Sequence, residues 1–150
     1  MLWNASRCLT AAILFTLSLP ASPVRATTET VVPVLDIGKG ASLAAGGNAA
    51  MVPIEVQCSA RWEVLEAFVS IVQNSTQSAN APIPVDCGMD RPRHYNVQVN
   101  AGQTPFEQGE ATATAYVLLQ DPDNGATMPL NDTATILIRA VTHKSGAGEP

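Results

Sequence analysis

Every second residue between Glu110 and Gln120 is apolar. Successive side chains of a β-strand point to opposite faces, so this alternation places one apolar row in a core and leaves the other face wet. The same period of two occurs over Ala50–Cys58 and His94–Ala101. We therefore expect three half-buried strands. The side chains expected to point inward are Ala111, Ala113, Ala115, Val117 and Leu119 in the first segment, Val52, Ile54, Val56 and Cys58 in the second, and Tyr95, Val97 and Val99 in the third.

Shorter apolar runs, separated by Gly, Pro, Asn and Asp, predict the other strands. Within one of them Phe68–Val72 is expected to be buried on both faces, and a helix over Arg61–Phe68 is the alternative that the β-branched residues disfavour. Gly88–Pro92 and Asp121–Met128 are predicted as turns or loops. Seven or eight strands without a convincing helix predict an all-β fold, an antiparallel immunoglobulin-like sandwich. The further predicted strands are Thr30–Ile37, Ala41–Ala45, Trp62–Gln73, Pro82–Cys87 and Thr133–Val141.

The first 26 residues have the three-part layout of a secretory signal peptide. Arg7 precedes the uncharged run Leu9–Leu19, Pro20 ends that run, and Val24 and Ala26 supply the small residues of a cleavage site. A membrane anchor is the alternative, but a helix of this length spans about 16 Å, roughly half of a bilayer core. We therefore expect a secreted or cell-envelope protein without a membrane span after cleavage. The expected organisation is a signal peptide over residues 1–26, a β-sandwich domain over 27–142 and a disordered tail over 143–150.

Cleavage of this signal peptide leaves an acidic domain. It removes Arg7 and Arg25 but no acidic residue, so the formal charge falls from −5 to −7. Nucleic acids and anionic membrane surfaces select for clustered Lys and Arg. The charge therefore argues against both as partners.

Cleavage also leaves two cysteines, Cys58 and Cys87. An even count in an exported chain predicts a disulfide, with two free buried thiols as the alternative. In a flat meander the strands that end in these cysteines run parallel about 9–10 Å apart, too far for a sulfur–sulfur bond. A disulfide therefore predicts that the chain switches sheets between the two cysteines.

Several segments together resemble small exported actinobacterial β-sandwich proteins that are grouped as a domain of unknown function. The segments are Val52–Cys58, Ser70–Gln73, the second cysteine Cys87 and Gly109–Ala115. The resemblance covers residues 41–141 and consists of strand alternation and cysteine spacing. It implies an exported β-domain and supplies no catalytic or binding residues.

Residues suited to catalysis are sparse. The only histidines, His94 and His143, lie on a polar strand face and in the tail, and no Gly-x-Ser-x-Gly motif occurs. Two acidic pairs raise the alternative of a glycosidase-type hydrolase, which needs two carboxylates facing each other across a cleft. Solvated strand ends explain these acids better, and we expect no enzymatic activity. The acidic pairs are Glu63 with Glu66, and Glu107 with Glu110.

Metal binding is a second alternative. Met89 and His94, with Met51 and Met128 elsewhere, are residue types that bind copper. Asp121–Gly125 resembles the start of a calcium loop, but the final glutamate of such a loop is missing, so a turn is the preferred interpretation. We expect neither a metal nor another cofactor.

Arg91 and Arg93 form the one basic cluster in this acidic chain. They are candidates for binding an acidic polymer or a phosphate of the envelope, and a turn with two solvated arginines is the preferred alternative. The leading hypothesis is a non-enzymatic interaction or structural module at the cell envelope, with an unknown envelope or extracellular protein or polymer as its partner. The alternatives are a small metal or ligand carrier and, less favoured, an envelope-polymer hydrolase.

Overall fold

The computed structural model describes residues 31–141, so the expected signal peptide over 1–26 and the expected tail over 143–150 lie outside the described residues. The expected all-β fold is confirmed. One turn of 3-10 helix, Ala45–Gly47, is present, and no α-helix occurs between residues 31 and 141. The strands are β1 Val34–Ile37, β2 Gly40–Leu43, β3 Ala49–Cys58, β4 Glu63–Gln73, β5 Thr76–Gln77, β6 Ala81–Pro82, β7 Met89–Asn100, β8 Gly109–Gln120 and β9 Thr127–Ala140.

The strands form one hydrogen-bonded sheet in the order β1-β3-β2-β9-β8-β4-β5, with β7 on β3 and β6 on β4. Both β1 and β2 run antiparallel to β3, whereas β2 runs parallel to β9. The expectation of a purely antiparallel arrangement is therefore wrong at this one pairing. The pairing joins Gly40–Leu43 to residues 137–140, and such a distant contact leaves no pattern in either local sequence.

The disulfide between Cys58 and Cys87 is confirmed, with a Cα–Cα distance of 4.8 Å. After Cys58 the chain leaves β3, because β4 pairs with β8 and not with β3. It returns as β7, whose first residue Met89 lies opposite Cys58. The chain thus changes its pairing partner between the two cysteines, while β3, β4 and β7 all belong to one hydrogen-bonded sheet and not to the two separate sheets that were expected.

The core is aliphatic. Inward side chains of the long strands form one buried cluster, in which Phe106 is the one aromatic side chain contributed by residues 31–141. The inward rows expected for β3 and β8 are confirmed, and in β7 Val97 and Val99 are buried while Tyr95 is half-buried. The largest fully buried side chains are Ile54, Ile71, Leu119, Ile136 and Ile138.

The strand expected over Trp62–Gln73 is confirmed as β4, and the alternative helix over Arg61–Phe68 does not form. Other local expectations fail. Pro82–Cys87 forms a strand only at its start, since its two prolines lack the N–H groups that a ladder needs. Val69, Ser70 and Ile71 are buried on both faces as expected, but Phe68 at one end of this segment is half-buried and Val72 at the other is 40% exposed. Both β7 and β9 begin earlier than expected, at Met89 and Thr127, because pairing with β3 and β8 extends them into segments predicted as turns or loops.

Within the described part of the chain, no helix is long and apolar enough to cross a membrane.

Candidate functional site

The outward side of the sheet carries a patch without charge where β4, β8 and β9 lie side by side. The strand register aligns its residues in three rows across the strands. We name these nine residues the uncharged face. The rows are Phe68, Tyr116 and Asn131; Ser70, Thr114 and Thr133; and Val72, Thr112 and Thr135.

Threonine dominates the uncharged face because β8 and β9 each contain the triplet Thr-Ala-Thr, whose alanine points to the core. The Oγ1 atoms of Thr114 and Thr133 lie 3.4 Å apart across the two strands. The rings of Phe68 and Tyr116 lie with their centroids 5.4 Å apart and their planes tilted by 35°. The face thus offers hydroxyl donors and acceptors beside an aromatic pair, a combination that suits an uncharged, hydroxyl- or amide-rich partner.

An open depression adjoins the uncharged face at the end of β4. Val72, Thr112 and Thr135 of the face line it together with Asn74 and Glu110. Asn74 begins a tight turn with a φ of 50°, and the next residue, Ser75, has a φ of 64°. Both values lie in the left-handed region that residues other than glycine rarely adopt. The flat face therefore ends in a concave border shaped by a strained turn.

The side chain of Gln73 holds the segment 107–110 against the end of β4, next to this depression. The side chain is buried, its Oε1 accepts the N–H of Glu107 at 2.9 Å, and its Nε2 donates to the carbonyl oxygen of the same residue at 3.0 Å. Nε2 also lies 3.4 Å from the carbonyl oxygen of Glu110. One amide side chain thus holds the segment that leads into β8.

The two candidate arginines differ in their surroundings. Arg93 forms an ion pair with Asp86, with 2.8 Å between Nη1 and Oδ2, whereas Arg91 is exposed and has no hydrogen bond or ion pair to another described residue. Asp86 also accepts the N–H of Gly88 at 2.9 Å, and its own N–H donates to the hydroxyl of Tyr95 at 3.1 Å. In the expected basic cluster, Asp86 therefore neutralises the charge of Arg93 but not that of Arg91. The hydrogen bonds of Asp86 also order the loop that precedes β7.

The structure does not bring together the copper candidates Met89 and His94. Met89 lies opposite Cys58, and His94 lies opposite Glu55, three residues earlier on β3. These positions are about 10 Å apart along the strand and on opposite faces of the sheet. His94 Nδ1 instead lies 3.2 Å from Glu55 Oε2. Among residues 31–141, no three His, Cys, Asp or Glu side chains are placed to hold a metal ion.

The two acidic pairs lie at opposite ends of the sheet, with Glu63 and Glu66 at one end and Glu107 and Glu110 together at the other. Glu63 pairs with Gln120 at one end of β8, and Glu110 lies ten residues away near its other end, about 33 Å distant. Glu63 and Glu66 share one strand and do not face each other across a cleft. Acids from different pairs are therefore too far apart to face each other across a cleft.

The calcium-like segment is organised around a guanidinium instead. Asp121 is buried and accepts from Arg61 through Oδ2, while its Oδ1 accepts the N–H of Asp123 at 3.1 Å. These hydrogen bonds, that of Arg61 foremost, hold the pKa of Asp121 below its ordinary value. The Arg61 guanidinium also lies 5.1 Å from the centroid of the Trp62 ring. The preferred interpretation as a turn fits this geometry.

No family model, curated protein or solved structure matches this chain.

Sequence reasoning singled out histidines, arginines and acids and missed the uncharged face. A signal was present, because Thr-Ala-Thr occurs twice, at 112–114 and at 133–135. Each triplet has the period that turns both threonines outward. Their meeting side by side depends on the β8–β9 register, which pairs Thr114 with Thr133.

Proposed function

We propose that this chain is an exported, non-enzymatic β-domain of the immunoglobulin-like sandwich type that serves as an interaction module at the cell envelope. The observation that carries the proposal is the uncharged face. Its nine positions carry no charge in a chain of formal charge −5, and all of them except the buried Ser70 are at least partly accessible, so a neutral partner meets no electrostatic penalty there.

The proposal of export is supported by the disulfide between Cys58 and Cys87, since such bonds persist in oxidising compartments. The signal-like pattern of residues 1–26 supports the same compartment. The grouping with exported actinobacterial domains of unknown function stays a proposal that rests on the same strand and cysteine pattern.

The partner we propose is an envelope polymer or protein segment rich in hydroxyl or amide groups and without net charge. Thr112, Thr133 and Thr135 are exposed, so their hydroxyls are accessible to such a chain. The half-buried pair of Phe68 and Tyr116 supplies rigid apolar contact area beside them. The separation of Glu63 and Glu66 from Glu110 supports a non-enzymatic role, and the separation of Met89 from His94 disfavours the alternative of a copper carrier.

Sedimentation of the purified exported chain with envelope fragments tests this proposal. We expect saturable binding that weakens at least about tenfold in the double variant Thr112→Glu, Thr133→Glu, because two carboxylates enter the neutral face. These two positions are diagonal neighbours, so their new charges are not directly opposed.

The matched control carries the same two charges elsewhere. Asn48→Glu, Asn80→Glu changes two exposed residues outside the uncharged face and outside β7, and we expect its affinity to stay within about twofold of the original. Equal binding by both double variants, or no saturable binding by the unmodified chain, overturns the proposal. Protease treatment of the fragments beforehand assigns the partner as a protein or a polymer.

A further inference from the structure

Strand β7 leaves one long edge without a partner. Its twelve residues, Met89–Asn100, pair only with β3 among the strands between residues 31 and 141. The opposite edge therefore presents a row of free backbone N–H and C=O groups, a template on which another strand can form.

The two halves of this edge differ in protection. Arg91, Pro92 and Arg93 occupy the first half, and charge and a missing N–H both discourage pairing. The second half, Tyr95–Asn100, has alternating polarity and contains neither proline nor a charged residue. Nothing in the sequence of this stretch blocks an incoming strand.

Residues 127–136 of β9 also have one edge that β2 does not cover, but this edge is protected against pairing with another strand and the edge of β7 is not. This part of β9 contains Pro129, and Asp132 accepts the N–H of Ile37 through Oδ2 at 2.8 Å. An inward acid and a proline are the usual protections of natural sheet edges. Within residues 31–141, the second half of β7 is thus the long edge that lacks them.

We propose that β7 pairs with β7 of a second copy of this chain, antiparallel and about a two-fold axis at Gln98. In this register Gln98 meets its own copy, Asn96 meets Asn100, and Val97 meets Val99. Outward amides thus face amides, and inward valines face valines. A two-fold interface must be self-complementary in this way.

Charge and order favour a second copy as the occupant. With the axis at Gln98, the residues that pair, 96–100, carry no charge, so no like charges meet within the ladder. Gln98 already donates to Asn100 Oδ1 at 3.0 Å, which aligns the amides along the strand. The Cys58–Cys87 bond fixes the start of β7, so little ordering entropy is lost on pairing.

Sedimentation velocity of the exported chain over a concentration series tests this inference. We expect a reversible dimer that Asn96→Glu, Gln98→Glu weakens at least about tenfold, because four carboxylates gather at the axis. Thr112→Glu, Thr133→Glu carries the same charge and keeps the dimer. A chain that stays monomeric throughout, or a dimer that the β7 variant leaves unchanged, overturns the inference.

A cysteine variant keeps the inference testable if the charged variant does not fold. Under mild oxidation we expect Gln98→Cys to form a covalent dimer, because each new thiol lies beside its own copy, whereas Thr133→Cys stays monomeric. Equal yields from both variants overturn the pairing. The inference does not rest on the uncharged face, and the two double variants separate loss of dimerisation from loss of envelope binding.

Discussion

The guanidinium of Arg61 donates to the carboxylate of Asp121, 60 residues further along the chain. The pair joins the β3–β4 connection to the turn between β8 and β9. Asp121 is nearly inaccessible, at 4% exposure, while Arg61 stays 54% exposed. The exposed guanidinium of Arg61 thus lies over the buried carboxylate of Asp121. Asp121 is the first residue of the segment whose sequence resembles the start of a calcium loop, and in this structure its carboxylate binds Arg61.

Stability should depend on pH through Asp121. Its pKa is lower in the fold than its ordinary value of 3.8. The ionised carboxylate therefore stabilises the fold above that ordinary value, and this contribution is lost as the pH falls through the lowered pKa. Urea unfolding should show Asp121→Asn less stable than the original chain at about pH 7, with the difference shrinking towards about pH 2. As a control, Asp123→Asn, at an exposed position, should keep the pH dependence of the original chain. The prediction is contradicted if Asp121→Asn is destabilised by the same amount at both pH values.

Loss of the disulfide should destabilise the chain strongly. Cys58 and Cys87 are 29 positions apart, and closing a loop of that length is worth about 3.5 kcal/mol in the chain-entropy model. Cys58→Ala, Cys87→Ala should lower the urea midpoint accordingly. Reduction of the original chain should give the same midpoint, while reductant should leave the double variant unchanged. A midpoint that reduction does not move refutes the expectation.

Gly47→Ala should lower the free energy of unfolding more than Gly46→Ala does. Both glycines have a positive φ, 71° and 76°, so alanine pays a similar backbone penalty of about 1 kcal/mol at either position. A Cβ on Gly47 would lie 2.4 Å from the carbonyl oxygen of Phe106, whereas one on Gly46 meets nothing closer than 3.5 Å. We expect roughly 1–3 kcal/mol of additional loss at Gly47, measured by chemical denaturation, and equal losses at the two positions would show that this contact is easily relieved.

Removal of the Gln73 side chain should release the segment that enters β8. Gln73→Ala leaves the N–H and carbonyl groups of Glu107 without their partner, at a cost of about 1–3 kcal/mol. Hydrogen exchange should show faster exchange of the Glu107 amide. Gln103→Ala, at an exposed position in the same segment, should change neither quantity, and unchanged exchange in Gln73→Ala would argue against the clamp.

The inward rows of β3 and β8 were predictable because a side chain's face follows from its position in the strand alone. The start of β9 was not, since Pro129, Asn131 and Asp132 are turn-forming residues that pairing with β8 overrides. The strand expected over Pro82–Cys87 does not continue beyond Pro82, for the converse reason. Two prolines with apolar neighbours mimic strand alternation, yet they cannot continue a ladder.

The uncharged face was only half visible in the sequence. The alternation over Glu110–Gln120 places Thr112 and Thr114 on the side away from the core, but their neighbours across the sheet come from β9 and from β4. Phe68 reaches Tyr116 only because β4 leaves β3 for β8. Such relationships depend on long-range pairing, which no local pattern encodes.

The pairing of β2 with β9 also determines how the fold meets mechanical tension. The two strands run parallel, one early and one late in the chain. Pulling the two ends of the described region apart first loads the pairing of β1 with β3, and once β1 has separated it shears the hydrogen bonds between β2 and β9 all together, instead of opening them one after another. Resistance to extension is therefore expected to depend on these four residue pairs, from Gly40 with Leu137 to Leu43 with Ala140.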